Sequence, residues 1–374
     1  MLIVDRVVLR EIRLPLVEPF RISSGVVSER RILLAELTST DGATAWAECV
    51  AGEAPNYSAE TVDTAWLAIE RWAAPRLLGV PLATPDAAHA ALQQGFVGHP
   101  MAKATLEMGA WALAAEREGV ALARLLGGVR ERVEVGISLG IQATPADLVK
   151  RAQAAFSRGY RRVKLKIRPD ADLPFVAAVR DAVGSRAVLS VDANGAYTPA
   201  DAERLARLDA FDLLMLEQPF PAGDLVRHAA LQQRLRTDLC LDESVDGAER
   251  AADALALGAA RIINIKPGRV GGLAASRAIH ELCQAQSVPV WCGGMLESGI
   301  GRACNVALAT LPGFTIPGDI SPSDRYWAED IVDPPWTMRA DGTMAVPMDR
   351  PGLGVRVDVA RIEALTARRV ELRA

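Results

Sequence analysis

The sequence predicts an α/β fold in which an eight-stranded parallel barrel of the TIM type carries a second, α+β domain. Two observations predict it. Beyond about residue 132, eight short apolar runs alternate with helix-like stretches rich in Ala, Leu and Arg, and eight is the strand number of a TIM barrel. Five charged residues also end successive runs at intervals of about 25 residues, the length of one strand, one helix and two short loops: Lys166, Asp192, Glu217, Asp242 and Lys266.

The first part of the chain predicts the α+β domain. Residues 2–14 and 30–38 alternate between apolar and polar side chains, as strands do, and the segment 17–29 between them is typical of a long loop containing Gly and Ser. Three helical patterns follow, each with a start or stop signal: about 59–77 after the N-cap candidate Ser58, Pro100 to about Glu118, and a short helix within 121–128 that closes on glycine.

The second part of the chain predicts the barrel. Its strands are expected at 134–139, 162–167, 187–193, 212–217, 238–243, 261–266, 288–294 and 314–319. Helices are expected at 145–158, 199–208, 246–258 and 272–286, as right-handed crossovers of a parallel sheet. No long helical pattern follows the eighth strand, so the C-terminal segment should pack against the N-terminal part. We therefore expect an α+β domain of residues 1–128, completed by 322–374, and a barrel of residues 129–321.

The composition favours a cytoplasmic enzyme. Half of the 374 residues are hydrophobic, enough for a large core, and the net charge of −4 with scattered Arg residues argues against nucleic acid as a partner. The five cysteines include no C-x-x-C pair, which argues against a disulfide framework and a thiolate zinc site. The N-terminus is unlike a signal peptide, and no apolar stretch reaches the roughly 18 residues of a membrane span.

Strand parity predicts where the spaced charges point. In the run 162–167, the apolar residues Val163, Leu165 and Ile167 share one face, while Lys164 and Lys166 share the other. Because the apolar face should contact the helices, both lysines should point into the barrel. The same alternation turns the other four spaced residues inward, so all five should meet at the carboxyl-end rim.

Three inward carboxylates at one rim predict a metal site. Crowded carboxylates repel one another and lose hydration, at a cost of several kcal/mol per uncompensated charge, which a divalent cation removes. Ligation by oxygen atoms alone suits Mg²⁺, with Mn²⁺ as a substitute. None of the four histidines is among the spaced residues, so zinc is disfavoured.

The lysines predict acid/base chemistry. Neighbouring ammonium groups such as Lys164 and Lys166 should repel one another, which would lower their pKa and make a neutral amine available as a base. Lys266 should approach from four strands away. A substrate carboxylate held between the two sides would then have one lysine on each face of its α-carbon, which suits removal of a proton on one side and its return on the other.

Structural alternatives exist for each residue taken alone. An aspartate at a strand end often caps a helix or forms an ion pair, and two lysines at i and i+2 often mark a solvated strand face. Five such residues in register, each after a run that buries its strand, favour a shared site. In the glycine-rich segment 292–301, Gly293 and Gly294 indicate either close backbone approach to a substrate or tight packing.

The chain resembles the enolase superfamily, and within it the o-succinylbenzoate synthase/N-acylamino acid racemase group. The resemblance covers essentially the whole chain and rests on the motifs V-K-L-K-I, V-D-A-N-G-A-Y-T, L-E-Q-P, C-L-D-E-S, N-I-K-P-G-R-V-G-G and W-C-G-G-M-L-E-S-G-I-G-R. It implies a modified (β/α)₇β barrel under a capping domain, a small-molecule carboxylate substrate and often a homo-oligomer. A Lys base with Mg²⁺ is the known arrangement of such sites.

The resemblance also implies residue roles. It makes Asp192, Glu217 and Asp242 the Mg²⁺ ligands, and Lys166 and Lys266 the opposed acid/base pair. Lys164 would support the base and the substrate carboxylate, and Asn194 the metal site or the substrate. The residues expected around the acyl part of the substrate are Ser138, Gly293, Gly294 and Met295, while the capping elements that close the mouth include the loop around Phe20 to Gly25 and Tyr57.

The resemblance leaves several activities open. The leading ones are dehydration to o-succinylbenzoate and racemisation of N-acyl, above all N-succinyl, amino acids, which share removal of the α-proton to give an enediolate. A muconate-type cycloisomerase and a dipeptide epimerase are alternatives in the same superfamily; Asp319 is the only acid on the eighth strand that could hold a dipeptide's amino group. A Schiff-base aldolase would leave the carboxylates without a role, and a binding protein would not need every charged residue of the pattern.

Overall fold

The computed structural model describes residues 1–23 and 25–374. Its N-terminal strands are β1 (Leu2–Ile22), β2 (Gly25–Ser39), β3 (Thr44–Cys49) and β4 (Pro81–Leu82). The helices of this part are α1 (Val62–Ala68), α2 (Asp86–Gln93), α3 (Pro100–Glu118) and α4 (Leu122–Leu126). A π-helical turn, Ile69–Ala73, and a 3₁₀ turn, Ala74–Arg76, continue α1, so the predicted helix is present in three pieces.

The barrel follows, with helices between its successive strands. After the short strand β5 (Arg132–Glu134), its strands are β6 (Gly136–Leu139), β7 (Arg162–Lys166), β8 (Leu189–Asp192), β9 (Leu216–Glu217), β10 (Leu239–Leu241), β11 (Ile262–Ile265) and β12 (Val290–Cys292). Its helices are α5 (Pro145–Ser157), α6 (Leu173–Val183), α7 (Ala202–Ala206), α8 (Leu225–Gln232), α9 (Ala248–Ala256), α10 (Pro267–Val270), α11 (Leu273–Ala285) and α12 (Gly299–Leu308). Turns of 3₁₀ helix flank α7 at Pro199–Asp201 and Arg207–Phe211.

The C-terminal segment returns to the N-terminal sheet. Its elements are β13 (Val332–Asp333), β14 (Thr343–Ala345), β15 (Arg356–Val357), α13 (Val359–Leu365) and β16 (Thr366–Arg373). Strand β16 pairs antiparallel with β1, which gives the sheet order β16-β1-β2-β3. The predicted return of the chain end to the N-terminal part is confirmed.

The barrel strands form one parallel sheet in the sequential order β6 to β12. The predicted eighth strand at 314–319 is not a regular strand. It joins the two sheet edges through single bridges, Phe314 with Val290 and Gly318 with Val135, and through backbone hydrogen bonds such as Gly136 N to Gly318 O at 2.7 Å. Pro317 has no N–H to donate, which interrupts a continuous ladder at this position.

Two packed regions confirm the parity prediction. Val163, Leu165 and Ile167 belong to the large core between strands and helices. A separate small cluster of Met215, Cys240, Ile262 and Trp291 fills the barrel interior. Alternate residues of the strands therefore contact different neighbours, as the sequence predicts.

The loop predicted at 17–29 is wrong, because most of it is strand. Strands β1 and β2 continue as a long hairpin, with Phe20 opposite Val27 and Ile22 opposite Gly25. The pairing register shifts between Pro15 and Phe20, which hides the strand alternation in the sequence. The hairpin is anchored to the barrel side, since Ile141 N donates to Arg21 O at 3.0 Å.

The N-cap predicted at Ser58 is also wrong. Thr61 caps α1, with Thr64 N donating to its hydroxyl at 3.2 Å and Thr61 N donating to the Thr64 hydroxyl at 2.8 Å. Ser58 instead accepts a hydrogen bond from Glu60 N at 3.0 Å. The two residues between the candidates, Ala59 and Glu60, belong to the segment that covers the barrel mouth.

Two buried carboxylates join the capping sheet and helices to the barrel. Glu107 of α3 accepts from Leu273 N at 2.7 Å and Ala274 N at 2.8 Å, the first amides of α11. Glu48 of β3 accepts from Ser298 N at 3.0 Å and Gly301 N at 3.2 Å at the start of α12. Free N–H groups at a helix start favour such anionic partners. Within the described part of the chain, no helix has the length and apolar character needed to cross a bilayer.

Candidate active site

The five spaced charges do converge at one rim of the barrel. Lys166, Asp192 and Glu217 are the last residues of three adjacent strands and lie directly opposite one another in register. Asp242 and Lys266 follow the ends of the next two strands at once. All five side chains are buried. The 25-residue spacing therefore predicted correctly that these five side chains meet at one rim.

Lys166 occupies one side of the rim. Its ammonium group donates to Asp192 Oδ2 at 2.5 Å and to Asn194 Oδ1 at 2.6 Å. Asn194 is oriented in turn, because its side-chain amide donates to Glu243 Oε1 at 2.8 Å. Asn194 also has a left-handed backbone with φ of 45°, which returns its own N–H to Asp192 Oδ1 at 3.0 Å. These bonds fix the Lys166 ammonium at the mouth.

Lys266 occupies the opposite side. Its ammonium group donates to Asp242 Oδ2 at 2.7 Å and to the Tyr57 hydroxyl at 2.9 Å. The Tyr57 ring also lies 4.8 Å from this ammonium, within cation–π range. Arg269 approaches the other Asp242 oxygen at 3.1 Å. Tyr57, a residue expected near substrate, thus contacts Lys266 and Asp242 from the capping side.

Lys164 lies deeper in the barrel than the sequence suggested. Its ammonium group bridges Glu217 Oε2 and Asp319 Oδ2, each at 2.8 Å, and lies 3.1 Å from Asp192 Oδ2. Asp319 also accepts from Arg162 at 2.8 Å. Lys164 is therefore enclosed by three carboxylates.

The predicted lowering of the lysine pKa is wrong for Lys164. Burial does lower the pKa of Lys164, but Asp319, Glu217 and Asp192 outweigh it and hold that pKa well above its ordinary value. Lys266 behaves in the same way, because Asp242 overcomes the effect of burial and raises its pKa. The prediction rested on repulsion between the lysines, whereas the carboxylates that contact them have the larger effect on their pKa.

The carboxylates divide into two groups. Burial would raise the pKa of Asp192, but Lys166 and Lys164 outweigh it and keep that pKa below its ordinary value. Burial would also raise the pKa of Asp242, but Lys266 and Arg269 outweigh this effect and lower that pKa. In Glu217, burial and the charge of Asp192 raise the pKa to about 8, because Lys164 alone does not compensate them. The rim thus carries more acidic groups than its lysines neutralise.

A pocket of about 120 Å³ opens above these side chains. Lys166 and Lys266 both line it, together with Asn194 from the barrel. The β1–β2 hairpin covers the pocket. The other residues of the wall that the sequence predicted are Phe20, Tyr57, Gly294 and Met295. The structure therefore brings the two lysines and the capping residues around one space.

Two predicted residues lie next to this space rather than in its wall. A side chain at Gly293 would collide with Asn264 Oδ1 and lie 2.7 Å from Lys266 Cε, so close packing against Lys266 requires glycine here. Ser138, at the strand position beside Lys164, is buried, and its hydroxyl has no hydrogen-bond partner within residues 1–23 and 25–374.

Several site residues escaped the sequence analysis. Arg162 stacks on Trp291 at 4.3 Å and, with Asp319, completes the environment of Lys164. Gln218 Oε1 accepts a hydrogen bond from Asp242 N at 3.0 Å and so orients the backbone at Asp242. Asp319 ends the eighth apolar run as the other acids end theirs, so the same position rule could have assigned it inward.

The donor set at the rim fits a hard divalent cation. In the described part of the chain, no three acidic, histidine or cysteine side chains form a ready-made metal group, because ammonium groups lie between the carboxylates. The donors of three adjacent strands are nevertheless all carboxylate oxygens, which suit Mg²⁺ or Mn²⁺. Burial and the charge of Asp192 raise the pKa of Glu217, so its negative charge is unfavourable here, and a bound cation would compensate it.

The comparisons with known proteins agree with this arrangement. Residues 5–127 match the N-terminal domain of mandelate racemase/muconate lactonizing enzyme, and residues 147–361 match the enolase C-terminal domain-like family. An o-succinylbenzoate synthase of Geobacillus stearothermophilus is 45% identical over 97% of this chain and 96% of its own. An N-succinylamino acid racemase of Amycolatopsis is 44% identical over 97% of each chain.

The fold comparison is equally extensive. The crystal structure of an enolase superfamily member from Listeria innocua matches with a TM-score of 0.96 and 37% identity, over 100% of both chains. Both domains match family models of this superfamily, and the coverage of the relatives is nearly complete. The register of the rim residues agrees with that assignment. The chain belongs to the enolase superfamily, in the group of the o-succinylbenzoate synthases and N-succinylamino acid racemases.

Proposed function

We propose that this protein removes the proton α to a substrate carboxylate with the help of Mg²⁺, and that it uses this step as an o-succinylbenzoate synthase, as a racemase of N-succinyl and related N-acyl amino acids, or as both. The observation that carries the proposal is the placement of Lys166 and Lys266 on opposite sides of one pocket, with three carboxylates between their strands. The close relatives of both names support it.

Asp192, Glu217 and Asp242 would hold the metal ion. When bound, it would neutralise the substrate carboxylate and make the adjacent carbon more acidic, and it would compete with the lysines for these carboxylates. Losing those partners lowers the pKa of an ammonium group, so a neutral lysine becomes accessible as a base.

The lysines carry the proton. One neutral lysine takes the α-proton from the face it occupies, and the electron pair remains on the substrate as an enediolate. In racemisation, the opposite lysine, as an ammonium group, delivers a proton to the other face. In dehydration, the lysine that took the α-proton returns it to the leaving hydroxyl group, which departs as water while the electron pair of the enediolate forms the new double bond. The second lysine stays protonated and contributes positive charge. Preorganised charges of this kind usually supply the largest share of catalysis.

The remaining residues would position the substrate. We assign Lys164 and Asn194 to the support of Lys166 and the carboxylates, on the basis of their contacts. Gly293, Gly294, Met295 and Ser138 would surround the acyl part, while Phe20 and Tyr57 close the mouth. In this division, the barrel of residues 129–321 performs the chemistry, and the capping unit of residues 1–128 and 322–374 selects the substrate.

The contacts of Asp319 disfavour a dipeptide epimerase. Both of its oxygens are used, one by Arg162 and one by Lys164, each at 2.8 Å. It is therefore not available to bind the amino group of a dipeptide. We further propose that the protein works in the cytoplasm as a homo-oligomer, without nucleic-acid or membrane partners.

Deuterium incorporation tests the proposed reaction. The protein is incubated with Mg²⁺ in D₂O, once with an N-succinyl-L-amino acid and once with the o-succinylbenzoate precursor. We expect deuterium at the α-carbon together with racemisation, or formation of o-succinylbenzoate, and no reaction in EDTA. Absence of both reactions over a panel of acyl amino acids would exclude the proposed activity while leaving the family membership intact.

A further inference from the structure

Arg30 of β2 is a cation in the pocket wall that the proposed chemistry does not use. It lines the same pocket as Lys166 and Lys266, and only 6% of the residue is exposed. Its neighbour Arg31 projects to the other face of the strand, where it binds Glu11 at 2.7 Å and Asp63 at 2.9 Å. Two adjacent arginines thus have opposite environments.

The Arg30 guanidinium is weakly satisfied. Among the residues that the structure describes, no carboxylate lies within 4.0 Å of it, whereas Lys166 and Lys266 each contact an aspartate. Its hydrogen bonds go to Ala51 O at 3.3 Å and Val50 O at 3.4 Å, longer than strong bonds of this type. Its Nε is buried and has no hydrogen-bond partner among the described residues. A buried cation in this state favours an anionic ligand.

The nearby acids are already bound elsewhere. Glu60, which also lines the pocket, accepts from Met101 N at 2.7 Å and Ala102 N at 3.0 Å with its two oxygens. The Glu48 carboxylate accepts from Ser298 N and Oγ and from Gly301 N. Burial also raises the pKa of Glu48 to about 7, which weakens its negative charge. Arg30 does lower the pKa of Glu48 through its charge, but it forms no ion pair with Glu48 or with another carboxylate of the described residues. The positive charge of Arg30 is therefore compensated only in part.

We propose that Arg30 binds a second carboxylate, at the end of the substrate remote from the α-carbon, and thereby selects dicarboxylic substrates such as N-succinyl amino acids over neutral acyl analogues. This inference rests on the proposed function, because it places the α-carboxylate between the two lysines of the same pocket. A guanidinium offers two parallel N–H groups to a carboxylate, so the partnerless Nε is part of a ready donor pair.

The test compares two substrates that differ only at the remote end: an N-succinyl amino acid, and its succinamoyl analogue in which the terminal carboxylate is an amide. For Arg30→Gln we expect kcat/KM to fall roughly 10- to 100-fold for the succinyl substrate, mainly through KM, and less than about threefold for the amide. Arg30→Lys should retain part of the preference. Arg31→Gln is the matched control and should leave the ratio between the substrates unchanged.

Two results would overturn the proposal: a wild-type enzyme that does not distinguish the two substrates, or an equal loss for both in Arg30→Gln. If Arg30→Gln does not fold, the ratio of kcat/KM between the two substrates in Arg30→Lys and in the wild type still tests the proposal. Calorimetric binding of the same two compounds tests the Arg30 carboxylate site separately from the proposed reaction. A tighter Kd for the succinyl compound that disappears in Arg30→Gln and is partly kept in Arg30→Lys supports the carboxylate site even when neither compound reacts, and such a lack of reaction would count against the proposed function alone.

Discussion

Replacing Glu107 by Gln should loosen the attachment of the capping domain to the barrel. Oε1 of Glu107 accepts from Trp111 Nε1 at 2.9 Å and from Ala274 N at 2.8 Å, while Oε2 accepts only from Leu273 N at 2.7 Å. A glutamine oxygen can keep the first two bonds, but its NH₂ group then faces the third donor. One buried N–H is left unpaired, at a cost of about 1–3 kcal/mol in the free energy of unfolding.

The effect of Glu107→Gln on stability should also depend on pH. Burial raises the pKa of Glu107 to about 8, against about 4.3 in the unfolded chain. The folded state therefore binds more protons between these values, so the wild-type stabilisation is complete below about pH 4.3 and is lost as pH rises through 8. Glutamine does not titrate. The stability gap between wild type and variant should decrease with rising pH, by at most about 1.4 kcal/mol per pH unit, which is enough to cancel or reverse a gap of about 1–3 kcal/mol between pH 5.5 and 8.

Denaturant unfolding followed by Trp fluorescence at pH 5.5, 7 and 8 measures this gap, with Glu118→Gln at the exposed end of the same helix as the control. A gap that widens with pH would refute the reasoning, because it would mean that the amides of α11 stabilise the ionised carboxylate more than burial penalises it. Gly272 makes the geometry strict, since its φ is +114° and a Cβ there would collide with Glu107 Oε2.

Two further predictions concern the site. Gly293→Ala should lower kcat/KM by roughly 10- to 100-fold and should also lower Tm, because the added Cβ would collide with the buried Asn264 and lie 2.7 Å from Lys266 Cε; an unchanged rate and Tm would show that both side chains have room to move. Removal of divalent ions with EDTA should abolish α-proton exchange, and Mg²⁺ or Mn²⁺ should restore it; exchange that persists in EDTA would show that the carboxylates serve only as lysine partners.

Spacing and parity predicted that the charged side chains converge, because the length of one strand–helix unit and the alternation within a strand are both local properties of the sequence. Lys166, Asp192 and Glu217 needed only the repeat length and the two-residue period of a strand to be placed together. The eight strand positions followed from the same patterns, although Pro317 prevented the last from forming a regular strand.

Contacts between distant segments could not be predicted in this way. The bond from Lys266 to Tyr57 joins residues from different domains, and no local pattern reports it. The hairpin beyond Pro15 was missed because a register shift breaks the alternation on which strand prediction depends. The pKa of Lys164 was predicted in the wrong direction because Asp319, far away in sequence, is one of its partners.

The opposed positions of Lys166 and Lys266 are the central claim, and α-proton exchange in single-lysine variants tests it most directly. Each of Lys166→Ala and Lys266→Ala is incubated in D₂O with Mg²⁺ and each enantiomer of an N-succinyl amino acid, and deuterium at the α-carbon is followed by NMR. We predict that racemisation is lost in both variants, that each variant exchanges the proton of only one enantiomer, and that the two variants act on opposite enantiomers. Exchange of the same enantiomer by both variants, or racemisation that survives in either, would contradict the account.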